Sequence, residues 1–205
     1  MENTKQDNNL KIMLGVFFIV LIWSAIKYYS FSTWLLEALP AIIMVLVLAL
    51  TYKKFRFSNF VYFIVLLHTI VLLIGAKYTY QRNPLFDYFM ERWDLSRNHF
   101  DRVGHYAQGF TPALMAKELL LRKGYLKRNK MLYFIVVCIV LAIAAAWELL
   151  EFAAARIGNV PGEQILSTQG DPWDTQWDMI MALLGAGTAL VFFRRIHDKY
   201  IKKMS

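Results

Sequence analysis

The chain has 205 residues, of which 58% are hydrophobic and 19% charged, and its formal net charge is +8. Soluble domains average about 45–50% apolar and about 25% charged, and here the excess gathers in long runs such as Met131–Ala146, which contains no charged residue. A disordered chain, a disulfide scaffold (Cys138 is the lone cysteine) and an ordinary water-soluble globule are thereby excluded, which leaves an all-α, polytopic transmembrane bundle formed as a single integral membrane domain over residues 1–205.

A bilayer core about 30 Å thick needs about 20 mostly apolar residues per helix. In chain order, that criterion predicts six spans: Ile12–Tyr28, Trp34–Tyr52, Phe60–Ala76, Val103–Leu121, Leu132–Ala153 and Trp177–Phe193. The first reads as a retained helix rather than a cleaved signal. The residues before it mix Glu2 and Asp7 with Lys5 and Lys11, and no small-x-small site follows Ile26. The fourth is the least apolar, carrying His105, Gln108, Lys117 and Glu118, so it is expected to face other helices or a wet cavity. The long connections are Lys77–Arg102 and Arg156–Gln176, and no internal repeat stands out.

Basic residues set the orientation. With the N-terminus inside, 15 Lys and Arg fall on the inner side, among them Lys53, Lys54, Arg56, Arg122–Lys130 and Arg194–Lys203. Seven fall outside: Lys27, Lys77, Arg82, Arg92, Arg97, Arg102 and Arg156. The positive-inside rule then places both termini in the cytoplasm. Because the basic clusters sit at span ends rather than on one soluble surface, they do not indicate nucleic-acid binding.

On this topology the polar residues converge. Asp101 and His105 share a face at the outer start of the fourth span, and Glu148 and Glu151 share one at the outer end of the fifth. Asp174 and Asp178 share a face at the outer start of the sixth, after an Asp171-Pro172 pair that predicts an N-cap with proline at the first helical position. His68 lies near the middle of the third span, and Tyr78 and Tyr80 follow its outer end. Capping, the helix dipole and the interfacial location account for single members of this set; Trp147, Trp173 and Trp177 fit an aromatic belt. The set as a whole is another matter, since a charge at a helix centre costs about 2.5–3.5 kcal/mol and clustered carboxylates repel. Ala182, Gly185, Ala186 and Ala189 already supply a cheaper means of packing helices.

The stretches Gly75-Ala76-Lys77-Tyr78-Thr79-Tyr80, Arg97-Asn98-His99-Phe100-Asp101-Arg102-Val103-Gly104-His105, Trp147-Glu148-Leu149-Leu150-Glu151 and Thr168-Gln169-Gly170-Asp171-Pro172-Trp173-Asp174 resemble the YjdF-like bacterial inner-membrane proteins. The resemblance covers nearly the whole chain and implies a six-helix protein of the bacterial cytoplasmic membrane, without implying a chemistry. A more distant similarity is to VanZ-like envelope proteins. It is carried by Asp101-Arg102…His105, Glu148, and Asp174 or Asp178 before Gly185, and it departs at Glu151, where that pattern has Gln.

Three functions follow as expectations. The first is metal-assisted chemistry on a lipid or envelope-precursor substrate at the outer leaflet. His105, Asp101 and Glu148 would be its catalytic groups, and His105, Glu148, Glu151, Asp174 and Asp178 would hold Mg²⁺, Mn²⁺ or Zn²⁺. Arg97, Arg102, His68, Tyr78 and Tyr80 would contact the substrate, the arginines through a phosphate. The second is a proton-coupled or small-molecule transporter, with His68 extending the polar path inward. The third is a non-catalytic envelope or assembly protein. Nucleophilic catalysis has no support, because Cys138 is mid-span in an apolar run and no GxSxG, P-loop or dinucleotide fingerprint is present.

Overall fold

A computed structural model describes residues 2–157 and 168–204. Eight α-helices are described and no strand: α1 (Glu2–Ser24), α2 (Phe31–Thr51), α3 (Asn59–Tyr78), α4 (Pro84–Arg92), α5 (Phe100–Arg122), α6 (Lys130–Ile157), α7 (Asp174–Val191) and α8 (Arg194–Lys202). The connection predicted over Arg156–Gln176 lies partly outside the described residues.

Among the described residues, four helices are long and apolar enough to cross a membrane: α1 from Gln6 on, α2, α3 and α6. The bent pair α7 and α8, which meet at 59°, makes a fifth if taken as one span. At 23 residues α5 has the length to cross, but it is not among the apolar candidates. Its sequence explains the difference. Asp101, His105, Lys117 and Glu118 are buried against neighbouring helices, so α5 is shielded by protein and needs no apolar exterior.

Two elements were not anticipated in the Lys77–Arg102 connection, a 3₁₀ turn (Tyr80–Arg82) and α4. The signal for α4 is local: the Asn83 side chain accepts from the N–H groups of Leu85 and Phe86, with Pro84 opening the helix. The sixth predicted span begins earlier than expected, at Asp174. Asp171 caps the turn before it, accepting from Trp173 N–H at 2.9 Å, so Pro172 lies in a turn and not in the helix.

The core forms around α5, which packs against α3, α6 and α7 and, among the described helices, packs most extensively on α7. That contact is made backbone to backbone. A Cβ on Gly109 would stand 1.8 Å from the Ala182 carbonyl oxygen, and one on Gly185 would stand 2.1 Å from that of Tyr106. Asp174, Asp178, Ala182, Gly185, Ala186 and Ala189 form the buried stripe of α7, small residues allowing close approach and its two acids lying at one end. Helices α1 and α2 each pack along α3 on the other side.

The bundle has two polar ends. At the His105 end lie the starts of α5 and α7 and the end of α6. There the loop before α5 is clamped to the loop before α7 by a reciprocal pair, Asn98 N–H to Gln169 Oε1 at 2.9 Å and Gln169 Nε2 to the Asn98 carbonyl at 3.0 Å. At the His197 end lie the start of α3, the end of α5 and all of α8. Gln6 near the chain start bonds the Phe57 carbonyl at this same end (3.1 Å), so the chain enters and leaves on one side.

Candidate functional site

Helix α5 brings Asp101 and His105 to one face at i, i+4, and α7 does the same for Asp174 and Asp178. The glycine-mediated contact between the two helices sets these pairs opposite one another. His105 Nε2 stands 3.6 Å from Asp101 Oδ1 and 3.7 Å from Asp178 Oδ2, and its Nδ1 stands 2.9 Å from the Gln108 amide oxygen and 3.8 Å from Glu148 Oε1 on α6. One ligand-type atom each from Asp101, His105 and Asp178 lies within 4.8 Å of the others, and all three residues are buried.

The two arginines organise the acids. Arg102 bonds Asp178 Oδ1 at 2.6 Å, Asp174 Oδ1 at 2.8 Å and Asp171 Oδ2 at 3.2 Å, while Arg97 bonds Asp174 Oδ1 and lies 3.8 Å from Asp101 Oδ2. Asp101 and Asp178 therefore each set one oxygen toward a guanidinium and the other toward His105 Nε2. Asp174 is taken up by both arginines. Its position in the first turn of α7 also suits the positive end of the helix dipole.

Beyond this centre the carboxylates outnumber the cations. Glu148 accepts from the Thr175 hydroxyl with one oxygen, and its Oε1 is buried without a hydrogen-bond partner. Glu151 accepts from Trp147 Nε1 at 2.7 Å and feels the charges of Asp101, Glu148 and Asp178. Glu37 of α2 feels the charge of Asp101 and accepts from the Tyr80 backbone. Seven carboxylates thus face two guanidiniums and the imidazoles of His105 and His68, an imbalance that requires protons or a further cation.

The remaining predicted site residues separate. His68 is buried near His105, and neither of its ring nitrogens has a hydrogen-bond partner. The Tyr80 ring is clamped between α3 and α5, where Cβ atoms on Gly75 and Gly104 would approach it to 2.4 and 2.9 Å. Thr79 turns the chain to deliver it, at φ 60° and ψ 147°, a region that β-branched residues rarely enter. Tyr78 lies elsewhere, its ring 6.1 Å from that of Trp23 on α1.

Sequence reasoning overlooked Glu37 and Gln108 as members of this group, and the centre at the His197 end entirely. Glu37 is the only charge within an otherwise apolar helix, which is itself the signal that could have found it. At the other end Glu118 is fully buried and accepts from Ser58 N–H (2.7 Å), Ser58 Oγ (2.7 Å), Arg122 (2.8 Å) and His197 Nε2 (3.0 Å). Its neighbour Lys117, also fully buried, pairs with Asp198 at 2.8 Å, and Arg128 bonds the other oxygen of that aspartate. In the sequence Lys117 and Glu118 read only as polar interruptions of an apolar run, because their partners Ser58, His197 and Asp198 are far away along the chain.

Comparison with known proteins agrees with the membrane architecture. The inner membrane protein YjdF of Escherichia coli (strain K12) is 40% identical over 185 residues, which cover 90% of this chain and 88% of that protein. No solved structure matches the chain. With its apolar helices, these relationships make it a multi-pass protein of the bacterial cytoplasmic (inner) membrane. Residues 9–199 match the model of a family described as predicted membrane protein (DUF2238), and the chain belongs to that family.

Proposed function

We propose that the protein crosses the bilayer six times with both termini in the cytoplasm, and that Asp101, His105 and Asp178 hold a divalent cation at the outer face for chemistry on the headgroup of a lipid or envelope precursor. The orientation rests on the surplus of Lys and Arg at the His197 end. The sixth crossing is α5, sheltered by α3, α6 and α7.

A single arrangement carries the cation reading. Gln108 presents its amide oxygen to His105 Nδ1, which favours the tautomer with hydrogen on Nδ1 and an electron pair on Nε2. That electron pair points at two carboxylate oxygens, at 3.6 and 3.7 Å, whose partner oxygens face Arg97 and Arg102. Three electron-rich atoms converge, and a positive ion among them turns repulsion into coordination. Ligands about 2.0–2.2 Å from an ion stand roughly 3–3.5 Å from one another, and the three donor atoms, all within 4.8 Å of one another, would draw in by side-chain adjustment to complete the set. One imidazole and two carboxylates suit Mn²⁺ or Zn²⁺, or Mg²⁺ with more water. Such an ion supplies Lewis acidity and a bound water that loses its proton more readily.

The chain's own residues supply the rest. Arg97 and Arg102 fix Asp101 and Asp178 in place and so act as positioning residues. Glu148 Oε1, buried and without a bonded partner 3.8 Å from His105, is placed to accept a proton as general base. Glu151 and Asp174, expected as ligands, are engaged by Trp147 and by the two arginines.

Titration of the detergent-purified protein with Mn²⁺ and Zn²⁺, followed by calorimetry and elemental analysis, tests this reading. One tight site is expected, lost in His105→Ala and Asp178→Asn and weakened about 10–100-fold in Gln108→Leu, as for other groups that orient a ligand. Equal binding by all four proteins, or none by the wild type, would refute it. A second reading, proton-coupled transport, draws on His68, whose unbonded imidazole continues the polar path from His105 toward the bundle centre. It predicts metal-independent proton flux in proteoliposomes that is abolished in His68→Leu.

A further inference from the structure

We propose that the wedge between α1 and α2 is a binding site for an anionic phospholipid, with its acyl chain laid along α3 and its phosphate at Lys11 and Arg56. The site lies at the His197 end and involves none of the residues of the carboxylate centre.

The wedge arises from how the helices pack. Both α1 and α2 pack along α3 more extensively than on each other, and Trp34 Nε1 bonds Ser24 Oγ at 3.1 Å where the end of α1 meets the start of α2. A cavity of about 590 Å³ remains between them, within the range of about 300–1,000 Å³ found for small-molecule sites. Its walls are apolar over most of their length: Leu14 and Phe17 from α1, Val45 and Leu48 from α2, and Val65 and Leu66 from α3.

One end of the cavity differs. Lys11, Asp7, Tyr52 and Arg56 all line it there. Asp7 accepts from the Tyr52 hydroxyl at 2.7 Å and from Arg56 at 2.6 Å, a bridge from α1 to the end of α2 that fixes the mouth. The Arg56 guanidinium also lies 5.2 Å from the centre of the Tyr52 ring. Lys11 is one turn beyond Asp7, and Lys53 and Lys54 follow Tyr52 in the α2–α3 connection. Two cations and one carboxylate, Lys11, Arg56 and Asp7, thus line the polar end of an otherwise greasy slot. An occupant must be long and apolar with one anionic terminus at the depth of the headgroups. A diacyl phosphatidylglycerol has that form. A zwitterionic lipid would bring its own ammonium beside Lys11 and Arg56, and a soluble anion such as inorganic phosphate would leave the apolar walls unfilled.

The test uses full-length protein purified in mild detergent. Native mass spectrometry is expected to retain one phosphatidylglycerol in preference to phosphatidylethanolamine, and phosphatidylglycerol alone is expected to raise the melting temperature. Lys11→Gln should bring the two lipids to equal retention with the fold intact. Val45→Trp, which fills the slot from a half-exposed position, should abolish retention of either and remove the thermal shift. Equal retention of both lipids by the wild type, retention unaffected by Val45→Trp, or an equal thermal shift with inorganic phosphate would each overturn the proposal.

Discussion

Replacing Glu118 with alanine should loosen α8 from the bundle. Glu118 is fully buried and receives four hydrogen bonds, two from Ser58, one from Arg122 and one from His197. Truncation leaves the Ser58 N–H and the fully buried His197 ring without their acceptor. Each orphaned buried donor costs about 1–3 kcal/mol, and loss of one partner from a buried charged pair costs about 3–5 kcal/mol. Arg122 still has the Arg56 carbonyl at 2.6 Å and water within reach, so the charged-pair cost is largely avoided, and the two orphaned donors set the expected loss at about 2–6 kcal/mol. Glu118→Gln retains a carbonyl oxygen for Ser58 N–H and Arg122 and places an amide beside Ser58 Oγ. Its cost should be about 1–2 kcal/mol. Denaturant unfolding in mixed micelles measures both values, and amide exchange locates the effect, since α8 should exchange faster once His197 is released. If Glu118→Ala lies within about 0.5 kcal/mol of the wild type, the range of an ordinary surface change, or if α8 protection is unchanged, then this network does not anchor the helix.

Other perturbations give sharp outcomes. Gly109→Ala and Gly185→Ala each drive a methyl into a backbone carbonyl of the facing helix, and each should cost at least about 1–3 kcal/mol in thermal melts; unchanged melting would show that α5 and α7 do not touch there. Arg102→Ala strips Asp178 of its cation, leaves Asp174 to Arg97 alone, and should destabilise by about 2–4 kcal/mol, with partial recovery in the Arg102→Ala/Asp178→Asn double variant; if the double variant is no better than the single, the charges are not coupled. Thr79→Gly should stabilise by about 1 kcal/mol, because relief of a nearly glycine-only conformation exceeds the entropy lost by glycine, and a lowered melting temperature counts against strain at that turn.

Much of this architecture is legible in the chain itself. Long apolar runs place α2, α3 and α6 nearly where they stand, and the i, i+4 and i, i+3 spacings of Asp101/His105, Asp174/Asp178 and Glu148/Glu151 put those pairs on common helix faces. Alternating helix direction then suffices to bring three helix ends together. The likeness to the YjdF-like proteins is carried by the same residues and agrees with the 40% identity to the Escherichia coli protein. What one dimension does not encode is which oxygen meets which nitrogen. Asp174 and Asp178 share a face, yet only Asp178 reaches His105, because the two arginines lie over the first turn of α7. The Glu118 centre was hidden for a related reason. It joins residues 58, 118 and 197, each unremarkable in its own neighbourhood. Helix α8 reads as a basic tail until its bend of 59° from α7 brings His197 and Asp198 back against α5.

That α5 serves both polar ends has a consequence for how this protein can vary. Twelve residues, or thirteen steps along the helix, separate His105 from Glu118, and each step turns the helix by about 100° and advances it about 1.5 Å. Deleting or inserting one residue between them would swing one set of polar side chains a quarter-turn or more off target while leaving the other correctly aimed. The segment 106–117 is therefore a ruler whose length is fixed in whole residues, even where individual side chains along it are free to change.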